Sequence, residues 1–279
     1  MLLAATVCPH PPLLVPALTG ATGPAELREA CVAAVRDLLA AGEPSGDALD
    51  VVVVGTGPTP GSAAPDAIGS LSGYGADVTV ALTRVVPTPE PTDTNPTPTG
   101  LSGAGPTGSG LSGTGLSGAG PTGVGPIGAA TLPLSVTVGV WLLRQAGWSG
   151  PVRARVVTEN ATPTECADLG ARLAGYPAPT VLLVMGDGSA SRDEKAPGSL
   201  DPRAVPFDTA VADALASVDT AALAALDPAL ARELFAAGRA PWQILAGAVE
   251  ADARPWKGEL RSAEAPYGVG YLVATWSPA

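Results

Sequence analysis

The one histidine of the chain, His10, stands in Val7-Cys8-Pro9-His10-Pro11-Pro12-Leu13-Leu14, directly after the apolar run Leu2 to Val7. That run reads as a buried first strand. The prolines stop it, so His10 leaves the carboxyl end of a strand in a fixed direction, where an α/β enzyme places a metal ligand. A non-haem iron centre needs two imidazoles and a carboxylate on one face of the metal, which a single histidine cannot supply. A second polar group follows the apolar run Thr180 to Met185: Asp187, Ser189, Ser191, Arg192, Asp193, Glu194, Lys195, Asp201, Arg203 and Asp208. Serines among carboxylates raise a hydrolase, but no Gly-x-Ser-x-Gly elbow accompanies them and the sole histidine belongs to another strand. The third segment, Gly55-Thr56-Gly57-Pro58-Thr59-Pro60-Gly61-Ser62, invites an anion-cradling loop. It lacks a Gly-Lys-Ser/Thr ending and its prolines remove amide donors, so a turn-rich connection is the simpler reading. The plain counterparts are a structural imidazole at His10 and a solvated, ion-paired loop after Met185.

All three segments follow predicted strands. Asp50 to Val54 and Thr180 to Met185 are β-branched or aliphatic runs of the kind covered on both faces of a parallel sheet, and Ala76 to Leu82 reads as a further strand of that kind. Pro24 to Ala40 carries helix chemistry, with Pro24 at the first helical position and Leu27, Cys31, Ala34 and Leu38 on one stripe. Leu132 to Ala146 reads as an apolar helix capped by Gly147, and Val152 to Val157 as a strand. Thr162-Pro163-Thr164-Glu165 is a capping box that launches a helix ending near Gly175. Helices are expected over Phe207 to Ser217, Thr220 to Leu226 and Pro228 through Gly238 to Val249, and a last strand over Tyr267 to Trp276, antiparallel at an edge. Alternating strands and helices predict a three-layer α/β sandwich around a largely parallel sheet. Val86 to Gly128 is Pro, Thr, Ser and Gly, with Leu-Ser-Gly-Ala-Gly-Pro-Thr-Gly at Leu101 to Gly108 returning at Leu116 to Gly123. Such a segment cannot bury enough apolar area to offset its ordering entropy, so residues 86–128 are expected to be a disordered insertion within a single domain spanning 1–279.

Composition narrows the function classes. A net charge of −11 argues against a nucleic-acid partner and against anionic membranes, since both need a basic footprint. The three cysteines, Cys8, Cys31 and Cys166, are odd in number and widely spaced, so they indicate neither a disulfide framework nor a zinc site. The apolar N-terminal run has no basic flank and breaks at Pro9, so neither a signal peptide nor a membrane span is read there, and the cytoplasm is the expected location.

The segments Cys8 to Pro16, Met185 to Arg192, Ala196 to Arg203, Phe207-Asp208 and Tyr267-Gly268-Val269-Gly270-Tyr271 together resemble the catalytic subunit of class III extradiol ring-cleavage dioxygenases and the related Memo-type proteins. The resemblance implies that fold over nearly the whole chain outside the insertion. In the family two histidines and a glutamate hold Fe(II), and a histidine in a Gly-Asp-x-Ser-His stretch handles protons. His10 matches the first metal ligand. The second should fall within Gly55 to Pro58, which has no imidazole; Ala190 stands at the proton-handling position; Glu233 is the candidate glutamate, and Ala236 to Arg239 offers no ligand. The implied protein is a pseudoenzyme with no cofactor, keeping a pocket for a small aromatic or carboxylated molecule or for a partner. The alternative is an active ring-cleavage oxidoreductase whose Fe(II) is held by His10 and carboxylates such as Asp187. Asp187, Ser189 and Arg192 are the expected ligand-binding residues, in a pocket bounded also by His10 and the Gly55 to Ser62 turn. A second copy of the chain or a smaller partner chain could complete the assembly.

Overall fold

The computed structural model describes residues 1–42, 49–83 and 131–279, which belong to one compact unit. The expected disordered insertion at 86–128 lies outside the described residues. The unit is built on a seven-stranded sheet. Its centre is four parallel strands: β1 (Leu2–Cys8), β2 (Asp50–Thr56), β6 (Arg153–Val157) and β7 (Thr180–Met185). β3 (Gly61–Ser62) runs antiparallel to β6 at one edge, and the hairpin β8 (Trp256–Glu264) and β9 (Tyr271–Pro278) closes the other. The order across the sheet is β3-β6-β2-β7-β1-β9-β8.

Side-chain alternation in the strands divides the core between the two faces of the sheet. Val51 and Val53 of β2 and Val181, Leu183 and Met185 of β7 pack under α2 (Ala25–Ala40) and α3 (Leu134–Gln145). Val52 and Val54, with Leu182 and Val184, pack under α4 (Pro163–Ala174), α5 (Ala204–Ser217) and α8 (Arg239–Asp252). A register shift between Leu2 and Ala4 puts Leu2 on the same face as Ala5 and Val7, so both ends of β1 stay buried. The three layers are therefore helix, mixed but mostly parallel sheet, helix.

The predicted capping box is present: Thr162 accepts the Glu165 amide and Glu165 accepts the Thr162 amide at 2.8 Å. Four expectations are corrected. Pro24 caps α2 rather than starting it. The Ala76 to Leu82 run yields only β5 (Thr79–Ala81), which pairs with β4 (Ile68–Ser70) in a separate two-stranded antiparallel sheet. The single helix expected from Pro228 to Val249 is broken into α7 (Pro228–Glu233) and α8, with Phe235 at a φ of 55°. The break frees backbone groups for the loop after β7: Ala190 N–H donates to the Leu234 carbonyl and Gly238 N–H to the Asp187 carbonyl, both at 2.8 Å. The last strand begins at Tyr271 and is not the edge, because β8 covers it. β8 alternates Trp256, Gly258 and Leu260 with Lys257, Glu259 and Arg261, the charged pattern of an edge strand that resists pairing with another chain. α1 (Pro16–Thr19) and α6 (Thr220–Ala224) complete the α-helices of the described residues. None of them is long and apolar enough to cross a membrane.

Candidate functional site

β1 and β7 are parallel neighbours whose onward connections lead to opposite faces, through α2 from β1 and through α5 from β7. A crevice opens at the carboxyl ends of strands with that topology. Cys8 is registered with Met185, and both point to the α2–α3 face. Two residues further on, His10 and Asp187 therefore point to that same face, side by side. The His10 amide donates to Asp187 Oδ1 at 2.8 Å, and His10 Nδ1 lies 3.6 Å from the same oxygen. The imidazole is buried, and its Nδ1 has no hydrogen-bond partner. Beneath the pair lie Cys8, Cys31 and Tyr271, all buried. A hydrogen bond of the Cys31 thiol to Cys8, with burial, raises that thiol well above its ordinary value; burial first, then the nearby Asp187 charge, raises the Tyr271 phenol. Cys31 and Tyr271 therefore stay protonated at neutral pH.

The same row continues into β2. Val54 is registered with Val184, so Gly57 is the β2 position level with Asp187 and on the same face. No side chain fits there. A Cβ on Gly57 would fall 2.8 Å from Val156 Cγ1 and 2.9 Å from Pro133 Cβ, and one on Gly55 would fall 2.4 Å from Ser135 Oγ. Pro133 is the N-cap of α3, and the Ser135 hydroxyl donates to the Thr56 carbonyl at 2.7 Å, so the turn and the start of α3 are seated on each other.

Ser189 and Arg192 belong to a different arrangement, centred on Asp208 of α5. The Ser189 amide and hydroxyl donate to the two Asp208 oxygens at 2.7 and 2.8 Å, and Arg192 Nη1 lies 3.6 Å from Oδ2. Gly188 and Gly270 close over the carboxylate, where a Cβ would fall 2.7 and 2.3 Å from its oxygens. Gly188 N–H donates to the Gly270 carbonyl and Gly270 N–H to the Ser189 carbonyl, which ties the loop after β7 to the start of β9. Asp208 is 2% exposed, and burial raises its carboxyl although the Ser189 donors and Arg192 oppose this. Ser189 is fully buried and serves this clasp; the Arg192 side chain keeps an exposed flank.

The structure thus joins His10 to Asp187, and Ser189 to Arg192 through Asp208. Ala190 is buried, its amide engaged by Leu234. Glu233 pairs with Arg203 at 2.7 Å and is exposed. Among the described residues no group of three or more histidine, cysteine or acidic side chains is placed to hold a metal ion.

Cavities are found at the β3 edge of the sheet and at the α7–α8 junction. Two, of about 570 and 520 Å³, open on the two faces of the sheet at β3, with Pro60, Gly61 and Ser62 in the walls of both; neither wall includes His10, Asp187 or Arg192. A smaller one of about 220 Å³ lies between Glu159 and the α7–α8 junction. Of the residues that line the 570 Å³ cavity, Arg155 and Tyr176 were not singled out by sequence. The available signal was Arg153 and Arg155 two apart in a strand, which places both on one face.

No family model matches the chain, and no curated protein matches it. Among solved structures, the chain is similar to the crystal structure of the uncharacterized protein JW3007 from Escherichia coli K12. That likeness has a TM-score of 0.49 and 13% identity, and covers 99% of each chain.

Proposed function

We propose that this chain is a pseudoenzyme of the extradiol dioxygenase catalytic-subunit type, keeping a pocket for a small molecule or a partner. The observation that carries the reading is the row His10, Asp187, Gly57 across three neighbouring strands. Fe(II) of the facial-triad kind needs two imidazoles and a carboxylate around one point. The residues present do not fit it. The row offers one imidazole and one carboxylate, Asp187 Oδ1 already accepts the His10 amide, and the remaining position is a glycine whose side-chain space is taken by Pro133 and Val156. Ala190, where the resemblance expects a proton-handling histidine, has only a methyl group.

A second reading has one observation in its favour. His10 Nδ1 is buried without a hydrogen-bond partner beside a carboxylate, which is the start of a cation site. Under that reading the chain is an active oxygenase with an atypical centre. Anaerobic incubation with Fe(II), removal of free metal and elemental analysis separate the two. The pseudoenzyme reading expects far less than one iron per chain, the same in wild type and in His10→Ala. Near one iron per chain in wild type, lost in His10→Ala, would overturn it.

A further inference from the structure

The cavity of about 570 Å³ between α4 and the β3–β6 edge carries two guanidinium groups in a chain of net charge −11. We infer that it is a binding site for a carboxylate on a compact apolar body, with Arg155 and Arg172 taking the carboxylate.

The site follows from the edge of the sheet. Arg153, Arg155 and Val157 alternate onto the α4 face of β6, and β3, only two residues long, leaves that face incompletely covered. Arg153 is satisfied outside the cavity: it pairs with Asp50 at 2.7 Å and its guanidinium sits 4.1 Å from the centre of the Tyr176 ring. Arg155 is not satisfied. One of its terminal nitrogens donates to the Tyr176 hydroxyl at 2.5 Å, but its Nε is buried and has no hydrogen-bond partner. Its other terminal nitrogen is neither buried nor hydrogen-bonded among the described residues, and a guanidinium N–H binds a carboxylate oxygen through a charge-assisted hydrogen bond. Arg172, in the last turn of α4, lines the same cavity; among the described residues neither arginine is within ion-pair distance of a carboxylate. The acid in the wall, Glu165, has an oxygen already engaged by the Thr162 amide and hydroxyl in the capping box.

Val157, Ala161, Leu169 and the body of Tyr176 give the wall an apolar part. A bare inorganic anion would leave that apolar surface wet, and a hydrocarbon would leave the two guanidinium charges without a counter-charge. A small organic carboxylate satisfies both. The volume falls in the range of small-molecule sites, roughly 300–1,000 Å³. The site is separate from the His10 row and does not depend on the reading of that row.

Cyclohexanecarboxylate, cyclohexanecarboxamide and acetate, each titrated calorimetrically into the full chain, test the inference. The expected result is binding of cyclohexanecarboxylate, weaker by at least about tenfold for the amide, which lacks the charge, and for acetate, which lacks the apolar body. Arg172→Gln, on the exposed side of α4, and Arg155→Gln should each weaken cyclohexanecarboxylate by about tenfold or more, while His10→Ala and Arg192→Gln leave it unchanged. Circular dichroism confirms that each variant is folded, and Arg172→Gln decides alone if Arg155→Gln is not. No binding to wild type at millimolar concentration, equal binding of acid and amide, or binding indifferent to Arg172→Gln would each overturn the inference.

Discussion

Replacing Gly57 by alanine adds one methyl group at the row position where a metal ligand would have to stand. The new Cβ would meet Val156 Cγ1 at 2.8 Å and the Pro133 ring at 2.9 and 3.0 Å, against an optimal carbon–carbon separation of about 3.5–4.0 Å. Neither neighbour yields easily: Val156 is a β-branched residue in the core, and Pro133 is fixed at the N-cap of α3. Overpacking of this kind costs about 1–3 kcal/mol. Gly57 does not have a left-handed φ, so the reduced freedom of the unfolded chain favours alanine by about 0.4–1 kcal/mol. Gly73→Ala is the control, because its Cβ meets nothing within 4 Å and its φ is not positive either; it should carry the favourable effect alone. The difference between the two variants isolates the contact and should be about 1–3 kcal/mol, or roughly 2–12 °C in Tm for a domain of this size. Urea unfolding followed by circular dichroism, with thermal scans in parallel, measures it. If the two variants unfold within about 0.5 kcal/mol of each other, the space beside Gly57 can admit a side chain and the argument against a second ligand there fails.

Two further outcomes are expected. Ala81 and Thr131 flank Ile68 from its two sides, so the segment between them starts and ends roughly 10 Å apart; replacing residues 86–128 by a short Gly/Ser linker should leave Tm unchanged or raise stability by about 1–2 kcal/mol through a shorter closed loop, and a fall of more than about 5 °C would mean that the segment packs on the body. Burial raises the Asp208 carboxyl in the folded state, so the folded chain binds this proton more tightly than the unfolded chain. Stability attributable to Asp208 should be full at low pH and decline as pH rises from the ordinary carboxylate value through the raised one; Asp208→Asn should lack that decline when urea midpoints are compared across pH, and parallel curves would refute it.

Features of the fold that rest on a few neighbouring residues were legible in the sequence. The Thr162–Glu165 capping box, the Leu27-Cys31-Ala34-Leu38 stripe and the aliphatic runs of β2 and β7 each depend on contacts within a turn or on one strand's burial, and each is found where the pattern put it. The placement of His10 beyond β1 was equally readable, because prolines act on their own backbone. What surrounds it was not. Whether His10 meets Asp187 depends on β7 being inserted between β1 and β2, an order that no local periodicity encodes. The α7–α8 break was missed because Phe235 takes a left-handed backbone against its own propensity, in a segment whose freed carbonyl and amide pair with the loop after β7. Ser189 read as a candidate ligand contact until Asp208, nineteen residues on, claimed both its donors. The strand that holds Arg155 was visible, but its unpaired Nε follows from a two-residue edge strand and a tyrosine twenty-one residues away. Local sequence fixes which segments can bury a face; strand order and register decide which side chains then meet, because those contacts join residues far apart in the chain.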